Sequence, residues 1–504
     1  MKSFLSVFLA LVMLLSFVAC SGGTGPAKDS NSKDTTVSGT TTDPIIDYEE
    51  DDLPDDLNFE GQTVKILVTG SEEAPKEGET SIALSEICAD ELTSDVVNDS
   101  IYNRERYVED RLNVNIEQVK IDDKQYESAM DLQFGSDDDV YQAYAYVTFA
   151  FTRYVFADHL INLYDLDYID LEKPWWSQTF NEEAEVLDGL YVTTGSLSLS
   201  LTRYMFAIFY NKNLANDHSS ADPELLELYD IVESGDWTFD KFCELGSSIY
   251  VDNNGNDTVD EEDTFGVGFQ GNIGTDAMWS SFDISVLSHD DDGWFELNVP
   301  TEKLYSAMDM INDLLHESIG TYDPGHDDEH LDVLSDMFAS DRLLFMNNKL
   351  LAIESKTLRN MQSDYGILPF PKYDSNQKEY YTYAHDSYTS FGIPKTNRNP
   401  DVTAAILEAM ASYAYRDTEP AYLNTALKGK YMSDPQSRKM LDLVVDGFKV
   451  DAAWIYLETL SDGYTTAFRR MLGSNQRNYA STHATMERKV KTALKMFKVT
   501  TKFS

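Results

Sequence analysis

An acidic loop near the middle of the chain has the residue types and the spacing of a calcium site. It runs over residues 252–263 and places oxygen-bearing groups at loop positions 1, 3, 5, 9 and 12, where an EF-hand-type loop places its ligands. Asp257 stands at position 6, where such loops have Gly, and Asp263 at position 12 is shorter than the usual Glu. The alternative is a solvated turn in a very acidic protein. We hypothesise a structural calcium ion, with the ligands Asp252, Asn254, Asn256, the backbone carbonyl of Thr258, Asp260 and Asp263.

Two other motifs match catalytic patterns, but their context favours a structural explanation. His326 and His330 frame an H-x-x-E-H sequence that directly follows Pro324-Gly325, so it is predicted at a turn or a helix start, without a distant third ligand. The G-x-G-x-x-G sequence over 266–271 has no βαβ unit around it. The sequence contains no G-x-S-x-G, and its acidic pairs are too common to indicate glycoside hydrolysis. We predict no catalytic residues and no catalytic cofactor.

The N-terminus has the pattern of a bacterial lipoprotein signal. Lys2 precedes an apolar run over 4–17, which is shorter than a membrane-spanning helix, and the tetrad Phe-Val-Ala-Cys ending at Cys20 resembles a lipobox. An ordinary secretory signal is the alternative, but it needs no cysteine at the cleavage site. We predict that 1–19 is a signal peptide and that Cys20 carries lipid, which would hold the protein on the outer face of the cell membrane.

The segment that follows Cys20 has the composition of a linker. Gly, Ser, Thr, Asp and Lys dominate residues 21–43, and an acidic run follows over 47–52. Such a composition buries little apolar surface, and like charges extend the chain. We therefore predict that residues 20–57 form a disordered, acidic tether that begins at the lipidated cysteine.

The charge of the protein excludes nucleic acid as a partner. The formal net charge is −49, whereas phosphate binding needs clustered Lys and Arg. Beyond Cys20 the sequence contains only Cys88 and Cys243, both in apolar contexts that resemble helices. We predict buried free thiols rather than a disulfide or a metal site.

Hydrophobic patterns position these groups on an α/β framework. Residues 62–69 alternate like a strand, 99–112 repeat like an amphipathic helix, and 114–117 and 140–147 are further strand candidates. This alternation favours an α/β sheet, and the length suits two lobes. Further strands are predicted at 190–194 and 205–210, helices at 240–250 and 303–316, and a mainly helical region from 400 onward.

Six short segments spread along the chain carry a family resemblance. They are DVVNDSIYNR (95–104), KPWW (173–176), MFAIFYNK (205–212), GDWTFD (235–240), DYGILPFPK (364–372) and SFGIPK (390–395). In this order and behind a lipobox, they resemble family 1 extracellular solute-binding proteins. These are the carbohydrate-type receptors of bacterial ABC importers and relatives of maltose-binding protein.

The resemblance implies a two-lobed α/β fold of the periplasmic-binding-protein kind, class II type, with a helical C-terminal region. The chain would cross between the lobes three times, near 195–202, 346–353 and 386–390. The N-terminal lobe would comprise 58–200 and 350–387, and the C-terminal lobe 201–349 and 388–504. A ligand would occupy the cleft between the lobes, where hinge closure can enclose it.

A sugar ligand calls for particular side chains at that cleft. Aromatic rings stack on its C–H faces, while carboxylates, amides and guanidinium groups bind its hydroxyls. His385, at the third expected crossing, is one position that fits, and Asp276 lies near another, Trp279. The alternative for any single position is ordinary packing, because the chain contains 30 Tyr and 6 Trp. Matched by order to the family's pattern, the predicted ligand-binding residues are Tyr144, Tyr146, Arg203, Tyr204, Trp279, Glu354, Asp386 and Trp454.

The function that the resemblance implies is capture of a sugar or oligosaccharide for import. The expected partners are that solute, the transmembrane subunits of an ABC permease and, through the lipid anchor, the membrane; we expect a monomer. A cell-surface carbohydrate-active or metal-dependent hydrolase is the alternative, and a binding protein without a permease is a third possibility. Peptide and polyamine receptors share the two-lobed design, so the solute class stays open.

Overall fold

Two main β-sheets flanked by helices make up the part of the chain that the structure describes. This computed structural model describes residues 48–69, 86–271, 273–325, 331–426, 435–457 and 463–501. The predicted signal peptide, Cys20, the tether up to residue 47 and the histidine pair of 326–330 lie outside the described residues. The strands are β1 (Gln62–Thr69), β2 (Val114–Ile121), β3 (Ala143–Val147), β4 (Phe206–Asn211), β5 (Tyr250–Val251), β6 (Thr264–Gly268), β7 (Leu287–His289), β8 (Phe295–Leu297), β9 (Thr321–Tyr322), β10 (Leu343–Lys349), β11 (Tyr365–Leu368) and β12 (Thr389–Gly392).

The helices lie between these strands and dominate the C-terminal third. They are α1 (Val96–Leu112), α2 (Asp123–Ser136), α3 (Thr152–Phe156), α4 (Gln178–Ala184), α5 (Leu199–Arg203), α6 (Lys212–His218), α7 (Leu228–Ser234), α8 (Phe239–Gly246), α9 (Ile273–Ser281), α10 (Thr301–His316), α11 (Leu331–Ala339), α12 (Lys356–Asn360), α13 (Pro400–Tyr413), α14 (Glu419–Ala421), α15 (Pro435–Asp446), α16 (Ala452–Ile455), α17 (Tyr464–Gly473) and α18 (Tyr479–Thr500). The run of helices from Pro400 onward confirms the predicted helical region. Among the described residues, no helix combines the length and the apolar character needed to cross a membrane.

The first sheet contains the predicted strand–helix–strand unit. Its strand order is β12-β3-β1-β2, and β1 is parallel to both β2 and β3. Helix α1 connects β1 to β2 and begins three residues before the predicted start, because the Asp95 carboxylate accepts hydrogen bonds from the backbone N–H groups of Val97 and Asn98. The buried residues of β1, such as Val64 and Ile66, form the core face of this sheet.

The second sheet is mixed and has the strand order β11-β4-β10-β6-β5, with β9 paired to β6. All six residues of β4 are buried, in agreement with the predicted strand at 205–210. The helix predicted at 303–316 is confirmed as α10, whereas the one predicted at 240–250 ends at Gly246. The strand predicted at 190–194 is wrong: only Thr193 makes a bridge, to Phe391, so this apolar run is buried without joining a ladder.

Two strands lie in the sheet opposite to the one expected from the lobe boundaries. Residues 350–387 were expected in the N-terminal lobe, yet β11 pairs antiparallel with β4 in the second sheet. Residues 388–504 were expected in the C-terminal lobe, yet β12 pairs antiparallel with β3 in the first sheet. Hydrophobicity indicates that a short strand is buried, but it does not indicate which sheet the strand joins. The remaining lobe boundaries stay a prediction.

The acidic run that was predicted to be disordered is held by basic partners from Tyr48 onward. Asp51 makes a two-bonded ion pair with Arg111, with both N–O distances at 2.7 Å. Lys173 lies 2.7 Å from a carboxylate oxygen of Glu49 and 2.8 Å from one of Asp52. The attraction to these cations outweighs the mutual repulsion of the acidic side chains, so the ordered chain begins earlier than residue 58.

The two cysteines of the folded part are free, as predicted. Both are partly rather than fully buried, which corrects the expected burial. Desolvation, with Asp240 and Asp313 adding to it, raises the pKa of Cys243 to about 12. Desolvation also raises the pKa of Cys88. Both thiols therefore stay protonated at neutral pH and are poor nucleophiles.

Candidate functional site

The three segments that we expected to cross between lobes lie side by side. The backbone N–H of Leu350 donates to the Met205 carbonyl at 2.8 Å, and Met205 also forms a bridge with Ala384. The His385 N–H donates to the Tyr204 carbonyl at 3.0 Å. These backbone contacts hold the ends of α5, β10 and the segment before β12 together, so polar side chains from three distant parts of the sequence meet there.

A buried ion pair joins two helices beside these segments. Asp276 on α9 is fully buried and accepts two hydrogen bonds from Arg469 on α17, one of them from Nε to Oδ1 at 3.0 Å. Burial raises the pKa of the Asp276 carboxyl to about 7 against the opposing charge of Arg469, while nearby Asp386 raises it further. This two-bonded geometry fixes the guanidinium in position.

Asp386 faces the same group of charges. Burial raises the pKa of its carboxyl to about 6, although Arg469 and Lys349 both lower it. The Lys349 ammonium lies 5.0 Å from the ring centre of Tyr204. Around neutral pH Asp386 is therefore mainly ionised and close to its titration range. We name the following residues the crossing cluster: Tyr204, Asp276, Lys349, Tyr383, His385, Asp386, Trp454 and Arg469.

Two buried polar atoms of the crossing cluster have no hydrogen-bond partner. The Tyr383 hydroxyl and the His385 Nδ1 are buried and unpaired in the part of the chain that the structure describes. His385 Nδ1 is 3.4 Å from an Asp386 oxygen without the geometry of a hydrogen bond. Burial, with Lys349 and Arg469 adding to it, lowers the pKa of His385 to about 3, so the ring is neutral. Buried polar atoms are normally paired, so these two unpaired atoms make the cluster a candidate binding site.

Aromatic rings pack against the ring of Tyr383. The Tyr383 ring stacks near Phe206, with centroids 6.0 Å apart, and its centroid is 5.1 Å from that of Trp454. The Tyr204 and His385 rings meet edge to face at 6.1 Å. The arrangement combines apolar ring surfaces with a hydroxyl, an imidazole and a carboxylate, which is the chemistry that a polyhydroxylated molecule needs.

Arg203 and Glu354 bind one another. Arg203 Nε donates to Glu354 Oε1 at 2.9 Å, and the guanidinium carbon lies 5.1 Å from the ring centre of Tyr422. This pair connects the first expected crossing to the second. Because the Arg203 guanidinium is hydrogen-bonded to the Glu354 carboxylate, the two residues hold these crossings together.

The predicted residues Trp279 and Trp454 lie in the packing around the cluster. Trp279 is 3% exposed and meets the rings of Tyr464 and Phe468 at 6.3 and 6.0 Å. It therefore supports the contact between α9 and α17 that carries the Asp276–Arg469 pair. Trp454 contacts Tyr383 directly, so it belongs to the crossing cluster.

The structure places Tyr144 and Tyr146 in the packing of the first sheet. The Tyr144 ring meets Phe134 of α2 at 6.0 Å, and Tyr146 stacks on Tyr126 of the same helix at 3.9 Å. Tyr144 and Tyr146 are two residues apart on β3, so their side chains point to the same face of the sheet. Helix α2 covers that face. Their predicted ligand contact receives no support from these positions.

Five members of the cluster were not among the predicted ligand residues. Sequence analysis had noted Asp276 and His385, and the other three carry different amounts of sequence signal. Tyr383 lies two residues before His385 in an extended segment, where alternate residues share a side, so its position was open to inference. Lys349 ends β10 within the second expected crossing. Arg469 lies in a helix far along the chain, and its approach to Asp276 depends on tertiary packing.

The acidic loop uses its oxygen atoms for its own hydrogen bonds. Asp252 accepts from the N–H groups of Gly255 and Asp257, at 2.6 and 3.1 Å, and Asp263 accepts from the Tyr250 hydroxyl at 3.0 Å. No three acidic, His or Cys side chains converge as a metal site among the described residues. The calcium hypothesis for this loop stays a prediction.

An open surface pocket adjoins the segment that carries Tyr383. Its volume is about 570 Å³, within the range of small-molecule pockets. The ammonium of Lys449 lies 4.4 Å from the ring centre of Tyr381, two residues before Tyr383. The pocket is lined by Asp283, Lys303, Tyr373, Asp374, Asn376, Gln377, Lys378 and Tyr381.

Comparison with known proteins supports the expected fold. No protein-family model and no curated protein sequence matches the chain. The sugar-binding protein MalE from Xanthomonas citri is similar in structure, with a TM-score of 0.54, 11% identity and coverage of 87% of this chain and 98% of that one. A cyclo/maltodextrin-binding protein complexed with maltotetraose has a TM-score of 0.51, 11% identity and coverage of 87% and 97%.

A third similar structure is an ABC transporter solute-binding protein from Thermotoga lettingae bound with α-D-tagatose. Its TM-score is 0.51, its identity 11%, and the match covers 86% of this chain and all of that one. At such identity the likeness concerns the fold. It confirms the predicted α/β architecture of two-lobed, maltose-binding-protein-like solute-binding proteins.

Proposed function

We propose that the protein is an extracellular solute-binding protein that captures a sugar or oligosaccharide at the crossing cluster. The observation that carries this proposal is the pair of unpartnered buried atoms, the Tyr383 hydroxyl and the His385 Nδ1, beside the Asp386 carboxylate. A carbohydrate offers hydroxyl groups that both donate and accept hydrogen bonds, and it would satisfy all three groups at once.

The chemistry of each group fits this role. Asp386 would accept hydrogen bonds from sugar hydroxyls, and the neutral His385 ring can either donate or accept. The rings of Tyr383 and Trp454 would meet the C–H faces of the sugar. Arg469, held by Asp276, would act as a positioning residue that keeps Asp386 ionised through its charge.

Capture would be coupled to closure of the lobes. Because the cluster lies where the expected crossings touch, a ligand bound there would contact the segments that change conformation in a hinge motion. A closed, ligand-bound form would be the one that docks on an ABC-type permease. We further propose that Cys20 carries lipid and that the protein works as a monomer on the outer face of the cell membrane, without catalytic activity of its own.

The proposal is tested by thermal stability across a panel of saccharides that includes maltotetraose and D-tagatose, followed by calorimetric titration of each hit. A saccharide at about 100 times its Kd should stabilise the folded state by about 2.7 kcal/mol. Chromatography of the same samples after incubation should recover the saccharide unchanged.

Two results would contradict the proposal. Stabilisation by peptides or polyamines, with none from any saccharide, would exclude a sugar as the solute. Cleavage of the saccharide that stops when a chelator is added would point to a metal-dependent hydrolase instead. The test variant is Tyr383→Phe, which should leave the protein without saccharide at least as stable as the parent while it weakens the response to a saccharide hit.

A further inference from the structure

The C-terminal part of the chain has a charge opposite to that of the rest. Between Gly463 and Thr501 there are eight Lys or Arg and one acidic residue, Glu487, which is a formal charge of +7 in a protein of net charge −49. The remainder of the chain therefore carries −56. Because the charge is segregated in this way, an anionic surface would attract the C-terminal part of the chain and repel the rest.

Helix α18 carries most of this charge and is packed by one side only. Val490 and Leu494 are buried, and Phe497 contacts Phe156 with ring centroids 5.2 Å apart. At helical spacing, the opposite side carries Arg488, Lys495 and Val499 along its centre. The basic groups of this side are exposed, and no part of the chain that the structure describes covers them.

The basic residues of this outer side fall into two groups. Lys491 and Lys498 form ion pairs with Glu487 and Asp290, at 2.7 and 2.9 Å. The second group is exposed and has no acidic partner among the described residues; it consists of Arg488, Lys489 and Lys495. The second group remains free to neutralise charges on another surface.

Two exposed apolar side chains interrupt the basic side. Met496 is 52% exposed and Val499 is 71% exposed. A helix that displays cations together with exposed apolar residues is typical of surfaces that lie on lipid headgroups, since the apolar groups can enter the boundary between headgroups and acyl chains. An acidic protein surface would satisfy the cations but would leave these two side chains without a favourable environment.

We propose that the outer side of α18 binds the surface of a membrane that contains anionic lipids. The basic residues bind lipid phosphates, and Met496 and Val499 contact the headgroup boundary. This contact sets which face of the protein lies against the membrane, because the rest of the chain, at −56, is repelled. The proposal does not depend on sugar capture or on lipid at Cys20.

The test uses the chain from residue 20 onward with Cys20→Ser, so that no acyl chain contributes to binding. Its sedimentation with vesicles of phosphatidylcholine containing about 30% phosphatidylglycerol is compared with that on pure phosphatidylcholine at low salt. We expect binding only to the anionic vesicles and its loss at about 0.5 M NaCl, where charges are screened within a few ångströms.

A charge-reversal variant and a matched control identify the surface. The charge-reversal variant combines Arg488→Glu, Lys489→Glu and Lys495→Glu. It should weaken vesicle binding by on the order of 100-fold or more, because each basic residue near an anionic surface contributes about 1 kcal/mol to binding. The control makes the same change in charge at exposed positions elsewhere and should bind as the parent does. It combines Lys120→Glu, Lys124→Glu and Arg438→Glu.

The remaining outcomes each overturn the proposal. Equal binding to neutral and anionic vesicles, no binding to either, or equal loss in both variants would exclude α18 as the membrane surface. A salt-sensitive dimer in sedimentation velocity that disappears in the α18 variant would show that a second copy covers this side. Both variants should keep the parent's saccharide-induced change in melting temperature. The vesicle experiment therefore tests the membrane surface independently of sugar capture.

Discussion

Replacement of Tyr383 by Phe separates a ligand-binding role from a structural one. The Tyr383 side chain is 2% exposed, and its buried hydroxyl makes no hydrogen bond with any described residue. A buried, unpaired hydroxyl costs about 1–3 kcal/mol. Its removal should therefore leave the free protein at least as stable as the parent, with a rise in Tm of roughly 1 °C or more.

The effect on ligand binding should have the opposite sign. If a sugar hydroxyl pairs with Tyr383 in the complex, the Phe variant loses that hydrogen bond and leaves the sugar group unpaired. We expect a weakening of about tenfold in Kd, which corresponds to about 1.4 kcal/mol. Calorimetric titration of the saccharide that stabilises the parent most gives Kd, and differential scanning calorimetry without ligand gives Tm.

The matched control is Tyr144→Phe. Its hydroxyl is also buried and unpaired, but its ring packs against Phe134 in the first sheet. This variant should show the same small gain in Tm and an unchanged Kd. A loss of stability in Tyr383→Phe with unchanged affinity would refute the reasoning, because the hydroxyl would then have a partner inside the protein. Weakened binding in Tyr144→Phe would support the sequence-based prediction that Tyr144 contacts the ligand.

Four further predictions concern charge and chemistry. Burial raises the pKa of Asp386 to about 6. Saccharide affinity should therefore fall severalfold as the pH drops from about 7.5 to 5, because the carboxylate becomes protonated. In calorimetric titrations, Asp386→Asn should abolish this pH dependence. Asp276→Asn should lower the free energy of unfolding by about 3 kcal/mol, since it leaves Arg469 without its buried partner, and urea titration would show it. Calcium should raise Tm and a chelator should lower it, with no response in Asp252→Ala; an unchanged Tm would exclude the loop as a metal site. Cys20→Ser should move the protein from the detergent phase to the aqueous phase in phase-separation assays of cells that express it.

Local patterns predicted the parts of the fold whose stabilising contacts are near in sequence. The alternation in β1, the helical repeat of α1 and the strand β2 all follow from residues within a few positions of one another. The start of α1 was misplaced by three residues because the capping role of Asp95 was not used, although a side chain that caps a helix is readable from the sequence. The prediction of disorder for residues 48–57 was wrong because it considered only the repulsion between acidic neighbours. It did not consider the ion pairs that these residues form with Arg111 and Lys173.

The candidate site was predicted where residues lie next to an expected crossing and at Trp454, which was matched by its order in the chain. Tyr204 and Asp386 were placed by their order in the chain. The structure brings them together through the hydrogen bond from the His385 backbone N–H to the Tyr204 carbonyl. Arg469 lies 193 residues from the carboxylate that it binds, and no local pattern connects them. Likewise, the hydrophobic character of β11 and β12 indicated burial but did not distinguish between two sheets, so their assignment needed the strand pairing itself.

The unpaired atoms of the crossing cluster and the ionic contact between crossings suggest how binding and closure are linked. Arg203 and Glu354 connect the first and second expected crossings directly, whereas Tyr383 and His385, just before the third, have polar atoms without a partner among the described residues. A ligand shifts a conformational equilibrium only through a difference in its affinity for the two states. Because a sugar would gain these hydrogen bonds only where the segments are in contact, its affinity for the closed form would exceed that for an open one. The same few polar atoms would thus determine both what is bound and which form of the protein is populated.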